Sequence, residues 1–274
     1  MKTADDITAD VLRSFEATPD PRLKRIMQSL TRHLHAFVRD VELTGPEWYQ
    51  AIEFLTRTGQ KCSDKRQEFI LLSDVMGISM MVDLVAHARP DGATESTVFG
   101  PFHREGAPEL PARGNIAHLD RDGVPVLVSG RVLSLGGQPI EGAVLDVWQT
   151  ASNGLYDSQD ADLHELHMRG KFRTDARGGY EFRTTRPVHY QIPSDGPVGG
   201  MLRATGRHAW RPAHIHFAVS ADGYEPVITH IFDSTDPYLK SDAVFAVKNS
   251  LIREFQRDDS GLKVDFDFVL APQP

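Results

Sequence analysis

Over the first ninety residues, apolar positions recur at intervals of three and four. Leu23, Ile26, Met27, Leu30, Leu34, Phe37, Val38 and Val41 fall on one stripe of that period, which predicts a long amphipathic helix. Asp20-Pro21 stands just ahead of it as a cap and a first-turn proline. Shorter helical patterns cover Ile7–Phe15, Pro46–Leu55 and Asp64–Met76. Around Met80–Val85 the apolar side is too continuous for a helix with a solvent face. That run is expected to be buried or at an interface.

At Arg89-Pro90-Asp91-Gly92 the pattern breaks, and strand signals follow. Val124–Leu135 and Ala143–Trp148 are rich in β-branched residues and are separated by the turn cluster Gly136-Gly137-Gln138-Pro139. Lys171–Thr174 and Tyr180–Thr184 flank Asp175–Gly179, and Ala213–Ser220 and Tyr224–Phe232 flank Ala221-Asp222-Gly223. Asp-Gly is a preferred hairpin pair, so a simple hairpin is expected at the latter. Leu262, Val264, Phe266 and Phe268 alternate with Lys263, Asp265 and Asp267, the pattern of one half-buried strand. One more amphipathic helix is expected, with Val244, Val247, Lys248, Leu251, Ile252 and Phe255 on its face. The architecture implied is α+β, with an all-α domain over residues 1–95 and an antiparallel β-sandwich over 96–274.

Composition narrows the function classes. Of 274 residues, 40% are hydrophobic and 25% charged, ordinary usage for a folded chain. The net charge of −8 lacks the positive field that would hold nucleic acid or an anionic membrane. A single cysteine, Cys62, rules out an internal disulfide and every zinc site built on paired thiolates. Met1–Thr8 is polar and acidic with no apolar core, and the least charged stretch, Val75–Val82, falls short of the ~18 residues of a span. A cytoplasmic location is expected.

The candidate chemistry lies in the histidines, twelve in all. His164-Glu165-Leu166-His167 resembles a zinc-protease helix, but Met168 stands where the second histidine belongs, so a solvated loop or short helix is expected. His33 and His35, two apart in a helical stripe, point in different directions and read as surface residues. His214 and His216 are two apart in a strand and therefore project together, while Ile215, Phe217 and Val219 face the other way. Such a pair is half a metal site. The remaining donors, with Cys excluded, must be carboxylate, histidine or tyrosinate. Tyr156 and Tyr190 each stand in a loop or at the end of a strand, and spacing alone does not select them from the six tyrosines. Tyrosinate is a hard donor suited to Fe(III), and a phenol with a pKa near ~10 needs a strong Lewis acid to stay deprotonated at neutral pH.

Three ordered motifs resemble the intradiol ring-cleaving dioxygenases, a family of non-haem Fe(III) enzymes. Gly206-Arg207-His208-Ala209-Trp210-Arg211-Pro212-Ala213-His214-Ile215-His216-Phe217 is similar to the segment around the family's two iron-binding histidines. Gly130-Arg131-Val132 through Val147-Trp148-Gln149 and Gly154-Leu155-Tyr156-Asp157 is similar to the segment of its first tyrosine ligand. Arg186-Pro187-Val188-His189-Tyr190 is similar to that of the second. The resemblance extends from the N-terminal helices almost to the C-terminus. It implies Tyr156, Tyr190, His214 and His216 as ligands of Fe(III), which serves as Lewis acid and template. It further implies Tyr190 as a proton acceptor and Arg211 as the group that stabilises developing negative charge.

Within the family the resemblance is to the branch that opens hydroxyquinol, benzene-1,2,4-triol, with O2 to maleylacetate. The residues that carry it are Tyr190 to Gly199, Thr94 to Phe102, and Asp236-Pro237-Tyr238-Leu239 with Ser241-Asp242-Ala243-Val244-Phe245. It implies a ring pocket of Leu71, Asp74, Val98, Phe99, Gly100, Pro101, Phe102, Ile192, Pro193, Arg211 and Val244, with Asp74 accepting a hydrogen bond from the third hydroxyl. It also implies a homodimer through the N-terminal helices, with a phospholipid in the dimer channel.

Two positions depart from the catechol-cleaving relatives. His230 stands where many have a glutamine near the iron, and a simple Asp222-Gly223 hairpin would put it opposite Ile215, unless Pro226 marks a bulge that resets the register. His189 stands where glycine is common. Rival readings are a catechol or chlorocatechol dioxygenase, a non-catalytic immunoglobulin-like module, and a zinc hydrolase on the histidine pair. The module has no reason to bring two tyrosines to two histidines, and the hydrolase lacks a general base in a recognised motif.

Overall fold

Local capping sets the first helices. The computed structural model describes residues 2–64, 66–160, 166–258 and 261–273. Helix α1 (Ala4–Ser14) starts at a capping box in which Thr3 and Asp6 satisfy each other's backbone amides. In α2 (Pro21–Asp40) the Asp20 carboxylate accepts from the amides of Arg22 and Leu23, and Pro21 opens the first turn. Helix α3 (Gly45–Gln60) runs past the expected Leu55, since nothing in Thr56–Arg57–Thr58 breaks it. Helix α4 (Glu68–Val75) starts later than Asp64, because Ser63 and Arg66 pair their backbones in a short bridge. Helix α5 (Ile78–Ala86) is bent 77° from α4. Between them Gly77 adopts φ 71°, a left-handed conformation that side chains resist. No single helix among the described residues is long and apolar enough to cross a membrane.

The chain divides into two compact units, residues 1–57 and 58–274. In the first, α1 and α2 are joined by the Arg39–Asp5 ion pair and by Thr8 with His35 at 2.9 Å. The apolar stripe of α2, from Leu23 to Val41, stays 44–53% exposed in the single chain, apart from Met27. Of the two histidines read as surface residues, His33 is exposed, whereas His35 is half-buried against Thr8.

The second unit contains α4, α5 and two five-stranded sheets. On α5, Met80 and Asp83 are buried, whereas Met81, Val82, Leu84 and Val85 are exposed. Of the two expectations for this run, burial therefore does not hold within one chain.

The strands are β1 (Pro125–Ser134), β2 (Val144–Trp148), β3 (Arg169–Arg173), β4 (Gly179–Thr185), β5 (Tyr190–Gln191), β6 (Trp210–Arg211), β7 (His214–Ser220), β8 (Val227–Asp233), β9 (Ile252–Arg253), β10 (Gln256–Asp258), β11 (Gly261–Asp265) and β12 (Phe268–Leu270). One sheet is centred on β1, which pairs antiparallel with β4 and parallel with β11 and β12, while β10 pairs with β11. The other runs β3-β2-β7-β8-β9, antiparallel except for β8 with β9. The α+β class and the sandwich follow the sequence reading, and the parallel pairings come from C-terminal strands that return to sheet positions laid down much earlier. Phe182 of the first sheet lies 6.1 Å from Phe217 of the second, and Phe217 lies 5.0 Å from Phe268, ring centre to ring centre. This fully buried aromatic column is the middle of the core.

Four local expectations are corrected. The helix expected on Val244–Phe255 does not form; a turn of 3₁₀ helix, Asn249–Leu251, leads into β9. Its apolar period is coincidental, because Asp242 accepts from the amides of Val244 and Ala246, and Ile252 pairs with Phe232 in a sheet. The strand expected over Leu262–Phe268 is split into β11 and β12. At the break the Asp267 carboxylate takes the Arg131 amide, and Gly130 lies so close that a Cβ would sit 1.9 Å from the Phe266 carbonyl oxygen. Strand β8 starts at Val227 rather than Tyr224, since Pro226 has no N–H to donate. The six-residue connection 221–226 shifts the register by one, so that His230 faces His216 and Ile231 faces Ile215. Helix α6 (Pro197–Ala204) was not legible, because Gly199-Gly200 dilutes its period.

Candidate active site

Strand alternation places His214 and His216 on one side of β7, opposite Ile215 and Phe217, which enter the core. Both histidines are buried. The His214 Nδ1–H donates to the Pro212 carbonyl at 2.6 Å, which leaves Nε2 as an acceptor. That Nε2 lies 3.1 Å from Nε2 of His216. Tyr156, in the loop after β2, brings its hydroxyl to 2.9 Å from the same His216 nitrogen. Tyr190 opens β5 and pairs with Arg211 of β6, which puts phenol and guanidinium side by side. Nη1 of Arg211 lies 3.5 Å from the Tyr190 hydroxyl and 3.3 Å from Nε2 of His214.

His230 completes a group of three imidazoles whose ligand atoms lie within 4.8 Å of one another. Its Nδ1 is hydrogen-bonded to Thr97 Oγ1, while its Nε2 has no partner among the described residues. Nδ1 of His216 likewise has none. Burial pushes the pKa of all three imidazoles well below the usual histidine range, and the Arg211 charge pushes the same way. They are neutral and carry lone pairs. Burial raises the Tyr156 phenol well above its ordinary value, the nearby Tyr190 oxygen adds to this, and Arg211 opposes it. Burial also opposes the charge of Arg211, but the Asp242 carboxylate and the Tyr190 and Tyr156 oxygens outweigh that and raise its pKa.

This donor set fits a hard metal ion. Two imidazole nitrogens and two phenol oxygens meet in a dry volume, and an accepting nitrogen 3.1 Å from a second one calls for a proton or a cation between them. A phenol held so firmly protonated by burial would ionise only beside a strong Lewis acid.

The walls are aromatic. Phe102 stacks on Tyr156 with ring centres 4.4 Å apart, and its edge meets Tyr190. Trp148 stacks on His216 at 4.7 Å, within 13° of parallel. A cleft of about 480 Å³ is lined by Asp74, Val98, Phe99 and Gly100, together with Ser73 and Ser79. The Asp74 carboxyl is raised by burial, against a hydrogen bond from Ser79 and the charge of Arg211. Leu71, Ile192 and Val244 are buried in the main core, Pro193 is half-buried, and Pro101 is exposed; none of these five lines that cleft.

The other histidine motifs lie elsewhere. His189 bonds Asp236 at 3.1 Å and packs on Trp210 and Tyr238. His164 and Glu165 lie outside the described residues, and His167 is buried rather than in a solvated loop. Sequence reasoning missed Asp242, Thr97 and Trp148. Each carried a signal only as part of a longer motif: Asp242 within 241–245, Thr97 within 94–102 and Trp148 within 147–149.

Comparison with known proteins agrees with this geometry. Residues 20–94 match the family described as "Catechol dioxygenase N terminus", and residues 98–272 match the one described as "Dioxygenase". The chain is 50% identical to a 6-chlorohydroxyquinol 1,2-dioxygenase of Cupriavidus pinatubonensis, over 97% of each chain. It is 50% identical to a hydroxyquinol 1,2-dioxygenase of a Rhizobium species, over 95% of this chain and 93% of the other. A solved hydroxyquinol 1,2-dioxygenase from Pseudomonas putida superposes with a TM-score of 0.93 at 51% identity, covering 98% and 99% of the two chains. With both halves matched and the fold reproduced from end to end, the chain belongs to the intradiol ring-cleaving dioxygenases.

Proposed function

We propose that the protein opens hydroxyquinol between its two adjacent hydroxylated carbons, both atoms of O2 entering the product, maleylacetate. The observation that carries this is the meeting of Tyr156, Tyr190, His214 and His216 beside a buried arginine, with a buried aspartate on the adjoining cleft. The names of the relatives at 50% identity support the choice of ring.

Fe(III) is the ion that these four residues would hold, and when bound it supplies Lewis acidity and a template for two ring oxygens. Tyr190, held as tyrosinate by that ion, would take a proton from a substrate hydroxyl, and its contact with Arg211 supports that role. Arg211 Nη1 faces the Tyr190 oxygen and would stabilise the negative charge left on the substrate as that proton departs, worth about 10²–10³-fold in rate for a well-placed donor. Phe102 and Trp148 close the ring's surroundings to water. Asp74 accepts a hydrogen bond from the third hydroxyl, and catechol would leave that bond unmade.

The half-exposed apolar stripe of α2 supports a homodimer built through the N-terminal helices; a phospholipid in its channel rests on the family resemblance alone, and a cytoplasmic location on the sequence reading. A division into domains near residue 95 is supported by the break between the two family matches, whereas the compact units of the fold divide after residue 57.

Parallel turnover of hydroxyquinol, 6-chlorohydroxyquinol, catechol and chlorocatechols by iron-loaded protein tests the reading. A preference for hydroxyquinol is expected, in a wine-coloured protein whose colour arises from tyrosinate on Fe(III). A preference for catechol refutes the substrate, and a colourless zinc protein refutes the metal.

A further inference from the structure

The Asp242 carboxylate is buried and accepts four hydrogen bonds. Oδ1 takes Nε of Arg211 at 3.2 Å and the Val244 amide at 3.3 Å. Oδ2 takes Nη2 of Arg211 at 3.5 Å and the Ala246 amide at 3.0 Å. One edge of the guanidinium is thus held, and Nη1 is left facing Tyr190 Oη and His214 Nε2. We propose that Asp242 is a positioning residue: by gripping one edge of Arg211 it aims the other at the ligand set, and it fixes the Val244 turn to the same anchor.

The physical basis is the rigidity of the guanidinium. Its five N–H groups lie in one plane, so fixing two of them fixes the direction of the rest. Arg211 is 2% exposed and reaches no water that could replace the carboxylate. The turn is tied to the same point, since Phe245, at φ 60°, donates its amide to the Asp242 carbonyl. A displaced carboxylate would therefore move the cation and the turn carrying Val244 together. An asparagine has nearly the same shape but would present an NH₂ group to N–H donors on one side, so it breaks the grip without opening a cavity.

The proposal rests on Arg211 acting at the reacting oxygens, and the experiment separates the two. Iron-loaded Asp242→Asn, Arg211→Gln and the double variant are compared for kcat and KM, for melting temperature, and for the visible spectrum on anaerobic hydroxyquinol binding. Asp242→Asn is expected to lower kcat roughly 10²-fold, as small misplacements do, while anaerobic binding still changes the spectrum. Because Asp242 acts through Arg211, the double variant should match Arg211→Gln to within about twofold. Losses that multiply would show a separate role for Asp242 and overturn the proposal, as would unchanged kcat in Asp242→Asn. Unchanged turnover in Arg211→Gln overturns the reading of Arg211 instead. Should Asp242→Asn fail to fold, Arg211→Lys decides: it keeps the charge but has no second edge to grip, so it should be no better than Arg211→Gln, and wild-type turnover would sink the idea.

Discussion

His216 stands directly opposite His230 across the β7–β8 pair, with ring centres 4.2 Å apart. His214 sits 4.8 Å from the same His230 ring, so three neutral imidazoles share one dry volume.

These imidazoles make the metal-free protein acid-labile. Their pKa values are depressed in the folded chain, by burial first and by neighbouring charge second. Below about pH 6.5 the unfolded chain binds protons that the folded one refuses, so stability falls as pH drops through that value. Each histidine contributes a slope of up to ~1.4 kcal/mol per pH unit. Urea unfolding at pH 5.5 and 7.5 should show this fall, and His230→Gln should flatten it by one histidine's share.

His214→Ala removes a donor whose tautomer is fixed by Pro212, and Tyr190→Phe removes a phenol oxygen. Metal analysis with visible spectra should show iron lost or the colour shifted in each, and ring cleavage reduced below ~1% of wild type, given the scale of losses on removing essential groups. Full colour and turnover in Tyr190→Phe would remove that residue from the metal site.

Asp74→Ala removes the acceptor proposed for the third hydroxyl. Its kcat/KM for hydroxyquinol should fall by about 10²-fold or more while that for catechol changes little, since sites built to bond a hydroxyl discriminate strongly. Equal losses on both rings would assign Asp74 to structure.

Much of this was legible. The stripe of α2, its Asp20-Pro21 start and the alternation through β7 depend on local periodicity, which the sequence displays directly. The position of His230 depended on a connection whose length is set by Pro226 and by Tyr224 bridging to Pro272 forty-eight positions away. Val244–Phe255 carried a helical period, yet a single carboxylate at Asp242 and a distant sheet edge won the backbone. Pairings of this kind are tertiary facts, and no window of residues contains them.

Gly130→Ala tests the crossing in the first sheet. A methyl there would meet the Phe266 carbonyl oxygen at 1.9 Å, main chain that cannot step aside. The variant should lose about 3 kcal/mol or more in denaturant unfolding, or fail to accumulate as folded protein.

Phe37→Asp tests the exposed stripe of α2, where Phe37 is 53% exposed. Sedimentation should report a smaller species than wild type, with ring cleavage per iron retained. An unchanged sedimentation coefficient would place the interface elsewhere.

The stacking of Trp148 on His216 gives the protein an optical gauge of its own occupancy. Fe(III) bound at that imidazole would lie next to the indole, so its absorption and paramagnetism would drain the excited state of Trp148. The other two tryptophans, the exposed Trp48 and the half-buried Trp210, emit as a background. Filling and emptying of the centre can therefore be followed by ultraviolet emission alone, without added dye or label.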